Sequence, residues 1–339
     1  MHNEAPHVAT IRKLYAEDPD TSHYKTSGQA ATIENGWPIP VITAVDKSPE
    51  TAAEIAAWPK LRDREGVQKY LEWNARETGN DYVKVMNESG TPIGLQLDQP
   101  SSELLRIIVD ESKQRGFLVV AHSMCVKDTL QVLEAGVDGL THTICDRPPT
   151  DELVAAYKKN NAWCNPTLAT IGSLTAEGRE LQEKFAHDER VKGLLGEGQS
   201  EKMCSCFEMG RGHSKVEYAY ESVRRFKQAG VDVIAGSDAA GPLPGIAYGI
   251  SLHHELTLYV DKCGFTPREA IESATIVPAR RFRWDDRGRL APGLRADLVL
   301  VEGDPLEDID KLLNLRGVWR DGVLCSVYKD VLGEGVGVN

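Results

Sequence analysis

The amino-acid sequence predicts an α/β protein in which helices cover a parallel sheet. Six short apolar or β-branched runs each precede a helical pattern, and turn residues separate the two. This alternation is typical of βα units, whose strands run parallel and are buried on both faces. A closed (β/α)8 barrel has eight strands, so the six recognisable runs are two short of a complete TIM-like barrel.

The six runs and their helices follow one another in a regular order. Predicted strands cover residues 29–33, 81–86, 117–122, 139–142, 163–168 and 231–238, and the clearest predicted helices cover 101–113, 127–135, 151–160, 216–229, 253–260 and 266–275. Ser101 or Ser102 can cap the first of these helices, and Gly116 marks its exit. The segment from about 168 to 215 is too long for an ordinary loop and is predicted to be an insertion or lid.

The character of the chain changes after the helix over 266–275. Residues 288–301 predict a turn and a strand, and Asp321-Gly322 predicts the tight turn of a hairpin. We therefore predict two domains, a β/α barrel over 1–285 and a small β unit over 286–339.

Composition excludes several classes of function. Lys and Arg total 39 against 51 Asp and Glu, giving a net charge of −12, and no basic run interleaved with aromatic residues offers a track for nucleic acid. No apolar stretch reaches the roughly 20 residues that span a bilayer. Seven scattered cysteines and an N-terminus without an apolar core predict a cytoplasmic protein with reduced thiols.

Four polar residues occupy the ends or interiors of predicted strands. His122, His142 and Asp238 fall at or just beyond strand ends, and Lys84 lies within a strand. The C-terminal ends of parallel barrel strands converge on one mouth, where active sites are built. Two imidazoles and a carboxylate suit zinc or a similar divalent ion, which would lower the pKa of a bound water molecule.

Each of these residues also has a structural interpretation. A lysine on an apolar strand can extend its amine to solvent or pair with an acid, and either histidine can be a hydrogen-bonded core residue. Asp238 can cap the helix that follows it. The repeated placement at strand ends favours the metal site over these separate explanations.

Six motifs occur in order along the chain: Asp81-Tyr-Val-Lys-Val-Met86, Val120-Ala-His122, residues 134–142, Pro166-Thr167-Leu168, Ala235-Gly-Ser-Asp238 and residues 288–300. Together they resemble the amidohydrolase superfamily, in particular its imidazolonepropionase-like and prolidase-like branch. The resemblance implies a TIM-like barrel in which a carboxylated Lys84 bridges two metals. It further implies that His122 and His142 bind one metal, that Asp238 binds the other and shuttles a proton, and that the C-terminal unit is part of a composite β-sandwich.

The sequence departs from this pattern at its beginning. Members of the family open with an H-x-H motif on the first strand, and no H-x-H occurs here. His2 and His7 flank Pro6 outside any strand pattern, and we expect neither to substitute for it. Met1 falls where a second strand would be finishing, so we expect a barrel incomplete at its N-terminus, with a remnant of the β-sandwich behind it.

The leading hypothesis is a hydrolase that uses metal-activated water, with one or two Zn²⁺ or similar ions, on a carbon–nitrogen bond. The substrate would be a small amide, cyclic amide or dipeptide, although such a site can also open lactones or cleave phosphoesters. The alternative is a catalytically impaired or non-catalytic binding protein of the same fold. Assembly into a homo-oligomer stays open.

Overall fold

The computed structural model describes residues 5–192, 194–240 and 243–329. In these described residues, seven strands form two sheets: β1 (Val83–Met86), β2 (Val119–His122), β3 (Gly139–Thr141), β4 (Trp163–Asn165), β5 (Leu298–Val301), β6 (Leu315–Arg320) and β7 (Val323–Leu324). The helices are α1 (Ala5–Glu17), α2 (Ile39–Val45), α3 (Pro49–Ala57), α4 (Arg64–Thr78), α5 (Ser102–Gln114), α6 (Val126–Ala135), α7 (Asp151–Asn160), α8 (Leu168–Thr175), α9 (Arg179–Ala186), α10 (Gln199–Met203), α11 (Val216–Ala229), α12 (Ile250–Cys263), α13 (Pro267–Ala274) and α14 (Ile276–Arg281). Short 3-10 segments occupy Thr91–Ile93, Glu189–Val191, Ile309–Leu313 and Ser326–Tyr328.

The first sheet is parallel and has the order β1-β2-β3-β4. Isolated parallel bridges extend it at both sides, from Ala31 to Val85 and from Val233 to Cys164. Within the described residues, parallel pairing thus occurs at the positions of all six predicted strands, and Thr32 also forms a parallel bridge to Lys60. The first and last of these positions form isolated bridges rather than ladders, so the strands predicted over 29–33 and 231–238 are much shorter than expected.

Local sequence explains where the helices begin and end. The side chain of Ser101 accepts a hydrogen bond from the backbone of Leu104, and Thr150 caps α7 in the same way. Gly136 and Gly230 end α6 and α11 in the left-handed conformation that glycine adopts without steric cost. Helices α7 and α11 have the bounds that the pattern predicts.

The fourth predicted strand is shorter than its apolar run. Strand β4 ends at Asn165, because Thr167 adopts a left-handed backbone conformation with a φ of 52°. Leu168 then begins α8, in which all eight residues are buried. The prediction of a strand over 163–168 is therefore wrong at its end, since a short apolar run does not distinguish a buried strand from a buried helix.

The predicted insertion over 168–215 contains α8, α9 and α10. Its first helix, α8, belongs to the core, and both Ser173 on this helix and Gln182 on α9 contact the loop that follows Asp238. Ser173 donates a hydrogen bond to the carbonyl of Pro244 at 2.7 Å, and Gln182 donates one to Gly245 at 2.7 Å. The segment is therefore fixed against the loop, and a role as a lid stays a prediction.

The second sheet is antiparallel and has the order β5-β6-β7. The predicted hairpin joins β6 to β7, and Asp321 and Gly322 both have positive φ, as a type I′ turn requires. Arg320 donates hydrogen bonds to the carbonyls of Tyr15 and Asp18, which ties this sheet to the end of α1.

The main core surrounds the parallel sheet. All four residues of β2 are buried, as is most of β1, which matches strands covered on both faces. Among the described helices, none is long and apolar enough to cross a membrane.

Candidate active site

The strand register aligns the predicted site residues at one end of the parallel sheet. Met86 pairs with His122, and His122 pairs with Thr141, so His142 follows directly beyond the end of β3. Asp238 follows the pass that bridges β4 at Val233. These are the C-terminal ends of the strands, where parallel α/β folds place their active sites.

Distances and electrostatic interactions indicate that the four predicted residues lie together. The rings of His122 and His142 meet edge to face, with centroids 4.7 Å apart. Nε2 of His142 lies 4.0 Å from Oδ2 of Asp238. Lys84 is near enough to interact electrostatically with both histidines and with Asp238. The structure therefore brings all four to one place, while their roles stay predictions.

Threonine 167 orients one of the two histidines. Its Oγ1 lies 2.6 Å from Nδ1 of His142, and both residues are buried. When Nδ1–H donates to this oxygen, the lone pair of Nε2 points towards Asp238 and can bind a metal. The sequence analysis quoted Thr167 only as part of a motif and gave it no role.

The backbone at the strand ends adopts unusual conformations. His142, Thr167 and Asp238 have φ values of 72°, 52° and 54°, which place them in the left-handed region. Residues other than glycine pay roughly 1–3 kcal/mol for such conformations, which cluster at functional sites. Three of them at neighbouring strand ends indicate that the fold holds these side chains in a fixed arrangement.

Burial keeps the site histidines neutral. Loss of water lowers the pKa of His122 to about 3, and the nearby Lys84 lowers it further. Burial and the neighbouring His122 likewise lower the pKa of His142 to about 3. Burial also lowers the pKa of the Lys84 amine, although Asp238 opposes this shift. Neutral imidazole is the form that binds metals.

Two further residues, Trp37 and Glu88, lie against the imidazole of His122. The indole of Trp37 stacks on the imidazole, with centroids 5.1 Å apart and planes inclined by 21°. The buried Glu88 places Oε2 at 3.4 Å from Nε2 of His122. Sequence reasoning missed both, because each lies in an irregular segment where no periodicity distinguishes a site residue from a turn residue.

A buried carboxylate supports the segment that carries Thr167. Glu255 on α12 accepts hydrogen bonds from the backbone of Leu168 and Ala169, both at 2.8 Å. Burial raises the pKa of this carboxyl to about 7. The sequence offered no signal for Glu255, since α12 presents it among apolar neighbours.

The other histidines lie away from this site or outside the described residues. His7 is exposed on α1 and has Glu54 at 4.0 Å, and His2 is outside the described residues. His254 is buried and packs against Phe185, with ring centroids 5.2 Å apart. Burial lowers the pKa of His253 to about 4. Packing at the surface or in the core is the interpretation that we favour for His253 and His254, and the burial of His254 and its contact with Phe185 agree with it.

A second group of metal-binding side chains lies at the other sheet. Over residues 5–192, 194–240 and 243–329, the set with three donor atoms within 4.8 Å of one another is His23, Asp297 and Asp321. Arg295 donates to Asp297 at 3.1 Å and also contacts Asp321. An arginine thus already balances the carboxylate charges, and this group is an ion-pair network that fixes the second sheet.

The opposite end of the parallel sheet holds an open cavity of about 480 Å³. Leu118 and Trp163 line it at the N-terminal ends of their strands, together with Asp232 and Arg280. Arg280 donates to both oxygens of Asp232 at 2.8 Å. These charges satisfy each other, and none of the four predicted site residues is part of this cavity.

Comparison with known families identifies one match over most of the chain. The model of the Amidohydrolase family matches residues 30–329. The match includes the four predicted site residues and the second sheet.

Individual relatives are more distant. An imidazolonepropionase of Cutibacterium acnes is 30% identical over 174 residues, which are 50% of this chain and 38% of that protein. An ochratoxinase of Aspergillus niger is 27% identical over 273 residues, which are 76% of this chain and 48% of that protein. The chain therefore spans less than half the length of these curated relatives.

Solved structures share the fold. A Xaa-Pro dipeptidase with bound methionine superposes with a TM-score of 0.68 at 21% identity, covering 94% of this chain and 71% of that one. The A. niger ochratoxinase superposes with a TM-score of 0.68 at 21% identity, covering 95% and 70%. The α/β architecture with its parallel sheet is thus that of amidohydrolases.

Proposed function

Because this chain belongs to the amidohydrolase family, we propose that it is a metal-dependent hydrolase of carbon–nitrogen bonds. The substrate class is a small amide, a cyclic amide or a dipeptide. The names of its relatives, imidazolonepropionase and ochratoxinase, support a small organic substrate. The comparisons give no support to a non-catalytic binding protein.

One observation carries the proposal: two neutral imidazoles, a carboxylate and a lysine amine converge at the C-terminal ends of the parallel strands. His122 and His142 are 3% and 5% exposed, and Asp238 lies 4.0 Å from the second of them. A structural role for each residue alone would not require the four to meet. Their convergence therefore supports a shared ligand.

The donor set fits a divalent metal ion. Nε2 of His122 is buried and has no hydrogen-bond partner among the described residues, which is costly unless a cation occupies its lone pair. Imidazole nitrogen and carboxylate oxygen are ligands of Zn²⁺, the metal we propose. When bound, such an ion supplies a Lewis acid and lowers the pKa of a bound water molecule.

The protein residues would then bind, orient and transfer protons. His122 and His142 bind through Nε2, and the hydrogen bond from Nδ1 of His142 to Thr167 fixes its ring. Asp238 accepts a proton from the attacking water and passes it to the leaving nitrogen. Burial lowers the pKa of the Lys84 amine, and the neutral form of an amine is the one that reacts with CO₂. We propose that Lys84 is carboxylated, as the resemblance of residues 81–86 to the family's motif implies.

The finer architecture is part of the same proposal. We assign the parallel sheet to a TIM-like barrel and the antiparallel sheet to a composite β-sandwich. A division near residue 286 is supported by the start of the second sheet after α14, at β5.

The test measures metal content and hydrolysis together. Purified protein should hold at least one equivalent of a divalent metal, and Lys84→Ala and Asp238→Ala should lose it and the hydrolysis of simple amides, cyclic amides or dipeptides. The matched control is Asp232→Ala, which removes a carboxylate from the opposite end of the same strand, where Arg280 and Arg281 bind it.

The control should retain the metal even if its stability falls. A well-folded wild-type protein that binds no divalent metal would contradict the proposal. Equal metal content in Asp238→Ala and the wild type would remove Asp238 from the site.

A further inference from the structure

A buried carboxylate beside the site is unexplained by the proposed function. Glu88 follows β1 by two residues and is 2% exposed. Its Oε1 accepts a hydrogen bond from the backbone of Gly90 at 2.8 Å. Its Oε2 is buried and finds no hydrogen-bond partner in the described part of the chain, and the same is true of Nε2 of His122. These two atoms are 3.4 Å apart.

Burial of Oε2 of Glu88 and Nε2 of His122 without hydrogen-bond partners costs free energy of folding unless a ligand binds both atoms. A buried polar group without a partner destabilises a fold by about 1–3 kcal/mol, and here two such groups face each other. Trp37 stacks on the imidazole, which hinders rotation of the ring towards another partner. The arrangement therefore resembles two ligands oriented towards a common cation.

The separation of the two atoms matches that explanation. Nitrogen and carboxylate ligands lie about 2.0–2.2 Å from Zn²⁺ in tetrahedral geometry, so two ligands on one ion are roughly 3.4 Å apart. Nε2 of His122 and Oε2 of Glu88 show this spacing. Both side chains are held in place. Gly90 donates a hydrogen bond to Oε1 of Glu88, and Trp37 stacks on the ring of His122.

We propose that Glu88 is a metal ligand, binding the same divalent ion as His122 through Oε2. This inference rests on the proposed function, because it assumes a divalent metal at the strand ends. Glu88 would add a second carboxylate to the one that Asp238 supplies, and carboxylate oxygen is a ligand of Zn²⁺. The ligand set would then include Glu88 in addition to the four residues expected from the sequence.

The competing explanation is a shared proton without a metal. Burial, with a smaller contribution from Asp128, raises the pKa of Glu88 to about 8, so the carboxyl can remain protonated and donate to His122. In that case Glu88 positions the ring and does not touch the metal. Metal affinity and metal spectroscopy distinguish the two roles.

The experiment compares Glu88→Gln with the wild type in the full-length chain. We expect the Kd for Zn²⁺, measured by chelator competition, to rise at least tenfold, and the visible absorption of the Co²⁺-loaded protein to change as its ligand set changes. Glu88→Asp keeps the charge but shortens the side chain, so we expect an intermediate Kd; it replaces Glu88→Gln if that variant does not fold.

The matched control is Glu111→Gln. Glu111 is also buried, at 4% exposure, but it binds Arg64 and Arg115 on the helical layer. This variant should lose stability and keep both the wild-type Kd and the Co²⁺ spectrum.

Three results would overturn the inference, and only the last of them would also contradict the proposed function. Wild-type Kd and spectrum in Glu88→Gln would exclude Glu88 as a ligand and leave the proposed function standing. A raised Kd with an unchanged Co²⁺ spectrum would make Glu88 a positioning residue. Absence of metal binding by the wild type would remove the proposed function as well.

Discussion

The meeting of the candidate site residues could be predicted only where a regular element supplied the register. His122, His142 and Asp238 each end an apolar run, so parallel strands were enough to predict that they meet. Glu88 and Thr167 could not be found this way. Their importance depends on atom-to-atom distances of 3.4 Å and 2.6 Å to the histidines, which the spacing of residues does not encode.

The hydrogen bond between Thr167 and His142 yields a prediction at this scale. Thr167→Val keeps the branched shape but removes the oxygen that fixes Nδ1 of His142. Residues that support a metal-binding histidine typically contribute 10–100-fold to metal affinity. We expect the Kd for Zn²⁺, measured by chelator competition, to rise by about tenfold or more.

The control for this variant lies at the end of α8, the helix that Thr167 precedes. Thr175→Val removes a buried hydroxyl that donates to the carbonyl of Ile171 within α8. It should leave the Kd unchanged. An unchanged Kd in Thr167→Val would show that the ring of His142 needs no such support.

At the scale of elements, helix–strand alternation was predictable because several helices carry local start or stop signals. The capping side chains of Ser101 and Thr150 and the exits at Gly136 and Gly230 are all local. Strand ends were harder to predict, because the apolar run over 163–168 begins as a strand and ends in a buried helix. The conformational break at Thr167 depends on tertiary contacts, including those of Glu255 with the start of α8.

The contact between α12 and α8 predicts a dependence of stability on pH. Burial raises the pKa of Glu255 from 4.5 to about 7, so the folded protein keeps a proton that the unfolded chain releases between these values. Stability should therefore fall as pH rises through this window. Relative to Glu255→Gln, the wild type should lose about 3 kcal/mol of unfolding free energy from pH 4.5 to pH 8.

Urea denaturation at several pH values measures this difference. Glu111→Gln is the comparison variant, because the hydrogen bond from Arg115 lowers the pKa of Glu111 to about 2, which places its titration below this window. Its profile should run parallel to that of the wild type from pH 5 to pH 8. Parallel profiles for Glu255→Gln and the wild type would show that the carboxyl titrates normally.

At the scale of the whole molecule, long-range ion pairs hold the insertion to the C-terminal part of the chain. Arg190, next to α9, binds Asp188 nearby and both carboxylate oxygens of Asp310, at 2.6 Å and 3.0 Å. It also donates to Asn314 at 3.1 Å. The sequence could not predict this, because charge patterns report neighbours within one element and not partners 120 residues apart.

Removal of this arginine should loosen the docking. Arg190→Gln leaves Asp188 and Asp310 without their shared partner, and we expect a loss of about 1–3 kcal/mol of unfolding free energy. Hydrogen exchange should also accelerate at the amides of Lys311 and Asn314. The control is Arg62→Gln, whose contact with Glu34 at 3.8 Å is exposed and contributes little.

Equal losses in the two arginine variants would contradict a special role for Arg190. Faster exchange throughout the chain, rather than at residues 309–314, would show general destabilisation instead of local undocking.

The most direct test of the account locates the metal itself. Crystals of the Zn²⁺-loaded protein should show an anomalous-scattering peak at the C-terminal ends of the parallel strands, within bonding distance of His122 and His142 and beside Asp238. A peak at His23, Asp297 and Asp321 instead, or no peak in protein soaked with the metal, would contradict it.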